Sequence, residues 1–483
     1  MLKLQLPNKV HPQKNHLAKF PLGGDALFIA NLARAQQKPF MYIVNDGYQL
    51  QRLVGELNLF APELRLAVFP DYEVLPYERQ SPYNELIAER LRTLWQVQHK
   101  QIDILLVQAT TLQMLLPPQD YFAQRVLLVK IGDRLDSEQL RSQLTVSGYQ
   151  CVHQVYEAGE FAIRGSIIDI LPMGSKQAIR IDLFDDEVDS IQYFATKTQL
   201  VTESVSAVEI LPSREYPHDL QNVRQMAARF AEYFPKQADS NLAKDLKNNI
   251  LPAGVEFYLP LFHTTCADLF SYLDDKWQIV YSQDLLAQLN LNWQEITKRY
   301  EYYNYQYPCL KPNDLFLSAD KVFAGLKSHT VWEIAIEGDY YQGFKELPEL
   351  AANSSTDTPF ARLKELSKNK QLVICSESFG RLEILRQNLA TQQLVSKITQ
   401  RFDEISNESI VLLQAELYQG FSCGNYILLN EADLYPKSRA IRRKTLTQRG
   451  NLQQDDDLIV RDLAEINVGD FVVHINHGVG RYV

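Results

Sequence analysis

No Gly-Lys dipeptide occurs anywhere in the 483 residues of this chain. A loop that cradles nucleotide phosphates needs GxxxxGK[ST], so that backbone amides and the lysine meet the phosphates while the hydroxyl helps hold magnesium. Gly23-Gly24-Asp25 precedes a helix-like segment but supplies neither the lysine nor the hydroxyl. HExxH and GxSxG are also missing, so zinc-protease and serine-hydrolase chemistry gain no support. The five cysteines, Cys151, Cys266, Cys309, Cys375 and Cys423, are odd in number, widely scattered and never spaced CxxC. That pattern argues against a disulfide framework or a zinc site and for reduced thiols in a cytoplasmic protein. Histidines number only nine, and just His474 and His477 stand close together. No apolar run reaches the ~18 residues of a membrane span, and the opening MLKLQLPNKVHPQKNH has no signal-peptide apolar core. Forty-nine basic against fifty-nine acidic residues leave a net charge of −10. Uniform attraction to nucleic acid is therefore not expected, although a local basic patch could still bind it.

What is present is ample apolar material, 46% of the residues, in a chain long enough for about three domains. From Phe20 to Gln124, short apolar runs (PFMYIVN, LRLAVFP, DILLVQ, TLQMLLPP) alternate with helical patterning. The helix expected from Asn84 to about Val97 carries a stripe of Leu86, Ile87, Leu91, Leu94 and Trp95 interrupted by Arg90. Such alternation predicts a parallel α/β sheet. From Arg125 to Pro212 one helix, begun by Asp136 with Gln139 as its box partner, precedes closely spaced strands, an α+β pattern. A helical, aromatic-rich stretch follows to Gly338, densest at Glu301–Leu310. NSSTDTP at Asn353–Pro359 reads as a linker. Beyond it QLVICS, a helix over Glu377–Leu389, SIVLLQA and NYILLNEADLY make another α/β unit. The fold class is thus multidomain α/β.

Gly159–Ser190 is the most informative segment. It predicts two strands joined by a Pro-Met-Gly-Ser turn, then an acidic turn into a third strand. Within Ile179–Phe184 the alternation sets Ile179, Ile181 and Leu183 on one face and Arg180, Asp182 and Phe184 on the other. Phenylalanine on a charged face needs a cover, either a helix of the same chain or a partner, and aromatic–arginine pairs are favoured interface anchors. Arg164 admits two readings, a partly buried arginine paired with a carboxylate such as Asp169, or a partner contact. Asp185-Asp186-Glu187 fits a solvated hairpin tip better than a metal site, since three adjacent acids in a turn project apart. Asn430-Glu431-Ala432-Asp433 reads as strand-end acids facing solvent. Six basic residues in the thirteen of Lys437–Arg449 suit either a solvated linker or a nucleic-acid contact.

GEFAIRGSIIDILPMG and RIDLFDDEVDSI closely resemble the second domain of the bacterial transcription-repair coupling factors, the Mfd family, and more loosely the repair protein UvrB. FPDYEVLPYERQSPYNELIAERLRTL at Phe69–Leu94 and LPAGVEFYLPLF at Leu251–Phe262 resemble the two halves of that family's first domain. VGDFVVHINHGVGRY at Val468–Tyr482 resembles the opening of its polymerase-gripping module. The resemblance implies a degenerate helicase-like α/β domain (20–124 and 213–345) interrupted by an α+β insert (125–212) and followed by a separate α/β domain (359–452). A tail (1–19), a linker (346–358) and an incomplete RNA-polymerase-interacting domain (453–483) complete it. It further implies that Arg164, Arg180 and Phe184 form the surface that binds UvrA. RNA polymerase, DNA and the family's own C-terminal motor domains are the other implied partners, with ATP and magnesium confined to the motor. Val468–Val483 reads as one strand and a Gly-rich turn lacking a partner strand, as expected of the N-terminal piece of a longer protein. The favoured function is therefore non-catalytic recruitment of excision repair to stalled polymerase, in the cytoplasm, with no cofactor or metal. The alternatives are a helicase-like DNA-binding ATPase with a non-standard nucleotide site and a DNA-binding structural module.

Overall fold

The computed structural model describes residues 4, 6–7, 10–175, 177–237, 239–347, 350, 360–405, 408–434, 471–474 and 478–481. Its first sheet has six strands, in the order Lys14–Leu17, Thr330–Ile334, Gln278–Ser282, Phe40–Val44, Ile104–Gln108, Leu66–Phe69. Every pairing in it is parallel. Gln278–Ser282 pairs directly with Phe40–Val44, so segments from both sides of Gly159–Ser190 share one sheet, here called the body. Because alternate residues of a strand face opposite ways, the sheet separates two cores. Met41, Ile43, Leu105, Val107 and Ile279 face one, and Phe40, Tyr42, Val44, Leu106 and Val280 the other.

Local chemistry sets the helices. Asp46, Asp136 and Asp219 each accept a backbone N–H in the first turn of the helices Gly47–Phe60, Ser137–Val146 and Leu220–Tyr233, which satisfies otherwise orphaned donors. The helix expected from Asn84 spans Asn84–Gln98. Arg90, the break in its apolar stripe, is fully buried between the rings of Phe69 and Tyr72 and donates to Glu215 at 2.7 Å. Tyr72 donates to the same carboxylate. This cluster ties the end of the first half of the body to the chain returning from the insert.

The insert is a six-stranded sheet in the order Val201–Val205, Glu187–Phe194, Ala178–Phe184, Ile167–Leu171, Glu160–Arg164, Gln150–Cys151. It is antiparallel except at its last pairing. One face, with Phe161, Ile168, Ile179, Ile181 and Ile191, packs on Leu140 and Leu144 of the helix Ser137–Val146 and on the two-stranded ribbon Leu127–Lys130/Ala207–Ile210.

A third sheet runs Phe344–Glu346, Phe421–Cys423, Tyr426–Asn430, Gln371–Ser376, Ile410–Gln414, Lys397–Thr399. Four strands are parallel and the first two antiparallel. Leu372, Ile374 and Leu412 face a core of their own with the helix Phe379–Thr391. Val373, Cys375, Leu413 and Leu428 instead join the body core against the helices Gly24–Gln36 and Gly47–Phe60.

Five sequence expectations change. The strand expected before the Pro-Met-Gly-Ser turn is two, Glu160–Arg164 and Ile167–Leu171, paired antiparallel across a turn at Gly165. Lys14–Leu17, read as part of a polar tail, is an edge strand paired with Thr330–Ile334. Phe344–Glu346, placed at the end of the body, pairs with Phe421–Cys423 in the third sheet. Thr111–Pro118, read as a strand, has the helix Ala109–Leu112 and only isolated bridges at Met114 and Leu116. The terminal strand does have a partner, because Phe471–His474 pairs antiparallel with Gly478–Arg481. The linker Asn353–Pro359 and the basic run Lys437–Arg449 lie outside the described residues.

Candidate docking surface and the Gly23-Gly24 turn

The alternation read from Ile179–Phe184 is realised. Ile179, Ile181 and Leu183 are buried in the insert core, while Phe184 ends its strand 75% exposed. It stands beside the two-residue Asp185-Asp186 turn, where Asp185 takes φ 55°, a left-handed conformation that aspartate tolerates better than most residues. The acids of that turn are exposed, and no group of three or more His, Cys, Asp or Glu side chains among the described residues could hold a metal ion.

Asp169, on the neighbouring strand, is 1% exposed and organises the open face. Its Oδ1 accepts from Arg180 Nε at 2.7 Å, and its Oδ2 accepts from Arg180 Nη2 at 2.9 Å and from Arg164 Nη2. Register explains the convergence: Asp169 lies opposite Ala162 on one side and Arg180 on the other. Arg180 also donates to Gln199 at 3.1 Å and lies over the buried ring of Phe194, 4.5 Å from its centroid. The first reading of Arg164 is the one observed, since it pairs with Asp169, with its side chain 43% exposed. Arg180 lies on the face that the alternation assigns to it, half-buried there. With a side chain only 18% exposed and spent on Asp169, Gln199 and Phe194, it braces the sheet as well as bordering the patch. At ~3.4 Å per residue, Arg180 and Phe184 stand about 14 Å apart along the strand, a span that one partner surface can cover.

Gly23-Gly24-Asp25 does lie at a helix start, that of Gly24–Gln36, and neighbouring side chains pack closely against both glycines. A Cβ at Gly24 would stand 2.9 Å from Phe344, and one at Gly23 3.0 Å from Phe421 and 3.3 Å from Glu56. Arg52 clamps Asp25 with two bonds of 2.8 and 2.6 Å and reaches Glu56 at 2.6 Å, while Tyr42 donates to Asp25 at 3.1 Å. Burial opposes ionisation of Asp25, but the charge and hydrogen bonds of Arg52 prevail and hold its carboxyl below the ordinary range. Glu56 receives less from the shared arginine, and burial pushes it up to about 7. The sign follows from linkage. A carboxyl raised from about 4.5 to about 7 on folding contributes stability below pH 4.5 that is lost as pH rises through 7. Glu56→Gln should therefore gain stability relative to the parent across that window and hold a constant difference above it, as measured by urea unfolding at several pH values.

The acids at Asn430–Asp433 are structural. Asp433 accepts the backbone N–H groups of Gly420 and Asn430, both at 2.9 Å, and Glu431 accepts from Ser376 at 2.9 Å. They cap the third sheet rather than face solvent.

The α/β body, its Gly23-Gly24 turn packed against Phe344 and Phe421, thus carries a strand-rich insert whose second face holds a smaller buried cluster of Val155, Ala162, Leu171, Ala178 and Phe194 and leaves Phe184 exposed at a strand end. Residues 127–216 match the family model described as the UvrB interaction domain, and residues 366–434 match that described as the MFD, D3 domain. The transcription-repair-coupling factor of Haemophilus influenzae is 33% identical over 480 residues, covering 95% of this chain and 41% of the relative. That of Escherichia coli is 32% identical over 471 residues with the same coverages, and that of Bacillus subtilis 26% identical over 510 residues, covering 96% and 41%. The matches identify this chain with the N-terminal part of the transcription-repair coupling factors. The chain spans about two fifths of the length of these relatives.

Proposed function

We propose that this chain recruits UvrA through the open face of the insert, so that excision repair reaches stalled RNA polymerase, and that it performs no chemistry of its own. The carrying observation is Phe184, 75% exposed on the sheet that matches the UvrB interaction domain and on the same face as the Arg164–Asp169–Arg180 cluster. Large exposed aromatics beside arginine are what interfaces use as anchors. Arg164, Arg180 and Phe184 are the proposed UvrA-contacting residues, with Arg180 in a double role. RNA polymerase is the second proposed partner, and the proposed working compartment is the cytoplasm.

The close packing at Gly23-Gly24 supports a body that holds no nucleotide. Titration of the purified chain with Mg-ATP should accordingly give no saturable binding. Capture of the same chain by immobilised UvrA should succeed. DNA-stimulated ATP turnover by the chain, free of contaminating enzyme, would restore the helicase-like alternative.

A further inference from the structure

We propose that the tyrosine ridge at the end of the helix Leu285–Tyr303 is a second docking surface, on the body rather than the insert, and that it takes a proline-rich segment of a partner in the polyproline II conformation. Four tyrosines fall within Tyr302–Tyr307, and two of them lie open to solvent, Tyr302 at 65% and Tyr305 at 92% exposure. A single exposed aromatic needs no explanation, but here there is a row. The ring of Tyr302 lies 5.0 Å from that of Tyr303, Tyr303 lies 5.5 Å from Tyr307, and the guanidinium of Arg79 stands 5.4 Å over the Tyr307 ring. Arg79 is itself exposed and forms no ion pair among the described residues. Tyrosine beside arginine is the composition that interfaces concentrate.

The ridge borders a cavity of about 310 Å³ whose walls include Tyr307, Phe257, Tyr258, Pro252 and Pro308. Those walls are fixed before any partner arrives. The hydroxyls of Tyr307 and Tyr258 donate to the backbone carbonyls of Tyr77 and Pro308. Tyr77 is held at φ 67°, a conformation that bulky side chains rarely adopt. Gly254, at φ 81°, brings its turn so close that a Cβ there would stand 2.7 Å from the Glu78 carbonyl oxygen. A preset surface loses little freedom on binding. Gln237, Asn241 and Gln306 are exposed on the rim, and with Arg79 they offer N–H donors around an apolar floor. A polyproline II segment is the complement. Its prolines carry no N–H, its carbonyls make no internal hydrogen bonds, and its rings dock in aromatic-lined grooves. From Tyr302 to Arg79 the row spans at most about 16 Å, which about five such residues cover at ~3.1 Å each. The bases of a single-stranded nucleic acid would stack on the same rings, but that mode needs a surplus of positive charge along the strand. Around the ridge Arg79, Lys298, Arg299 and Lys311 are balanced by Glu78, Asp239, Glu295 and Glu301, which favours the peptide.

The test is fluorescence anisotropy of a labelled decaproline peptide titrated with the whole chain, with a Gly-Ser decapeptide and a decamer of oligothymidylate as the other probes. Decaproline should bind saturably, and the Gly-Ser peptide should not. Tyr302→Ala combined with Tyr305→Ala should weaken decaproline binding about tenfold or more. Both side chains are exposed, so the melting temperature should stay at the parent's. Ala253→Trp, which fills the cavity from an exposed position on its rim, should weaken binding by a similar factor. Phe184→Ala should leave decaproline binding unchanged, because this surface is separate from the insert and does not rest on the UvrA reading. Absence of saturable decaproline binding overturns the proposal, and so does unchanged binding by either the tyrosine pair or Ala253→Trp. Tighter binding of oligothymidylate than of decaproline also overturns it and assigns the ridge to single-stranded nucleic acid.

Discussion

Phe184→Ala is expected to weaken UvrA binding about thirtyfold and to leave the melting temperature of the chain where it was. The two halves of that result have separate causes. The side chain is 75% exposed and belongs to none of the buried clusters of the insert, so its removal leaves no cavity and disturbs no packing. A surface substitution of this kind changes stability by no more than ~0.5 kcal/mol. In the complex the ring would be desolvated, and truncating an aromatic anchor costs ~2 kcal/mol or more, which is the thirtyfold. Arg180→Ala is a useful contrast, because it should lower both affinity and melting temperature. Without Arg180 the buried Asp169 keeps only Arg164, and an under-compensated buried carboxylate is costly. Calorimetric melting alongside binding by surface plasmon resonance separates the cases. A Phe184→Ala chain that melts several degrees early with unaltered affinity would mean that the ring serves the fold.

The difference between Phe184 and Arg180 also marks how far the sequence could be read. Period-two alternation over Ile179–Phe184 is local, and it places both residues on the outer face without any knowledge of neighbours. What covers each residue depends on strand order. Arg180 is braced because Asp169, eleven residues earlier, lies opposite it in register and because Phe194 comes under it from the next strand. The same limit hid the edge strand Lys14–Leu17, four residues with a single buried side chain whose partner lies over three hundred residues away. Arg90 shows the converse: helical periodicity placed it correctly in the apolar stripe, but the carboxylate of Glu215 that permits its burial comes from the far side of the insert. Cation and anion had to be brought together by the fold before either could be read as core.

Arg52→Ala should destabilise the chain by about 3–5 kcal/mol. On the sequence, Arg52 and Glu56 are an ordinary i,i+4 pair on a helix, a pattern worth only ~0.3–0.5 kcal/mol on a surface. Here both are buried, and Arg52 also clamps the buried Asp25 at the start of the neighbouring helix. Removing the guanidinium leaves two carboxyls in a site that water hardly reaches. Glu56, already raised to about 7, can escape by taking a proton, but Asp25 owes its lowered position to Arg52 and has only Tyr42 and its own helix end left. The damage should not stay within the body. Glu56 accepts from the backbone of Tyr418 at 3.4 Å, and the helix carrying Arg52 packs through Phe60 on Phe421 of the third sheet and on Phe402, which lies between two of that sheet's strands. Unfolding of Arg52→Ala in urea should therefore begin at lower denaturant for a probe in the third sheet as well as for one in the body. The pair Arg52→Met with Asp25→Asn, which removes cation and anion together, should recover most of the loss. Parent-like stability of Arg52→Ala alone would show that the cluster contributes little and that the shared apolar core of Phe28, Phe344 and Phe421 suffices to join the two sheets.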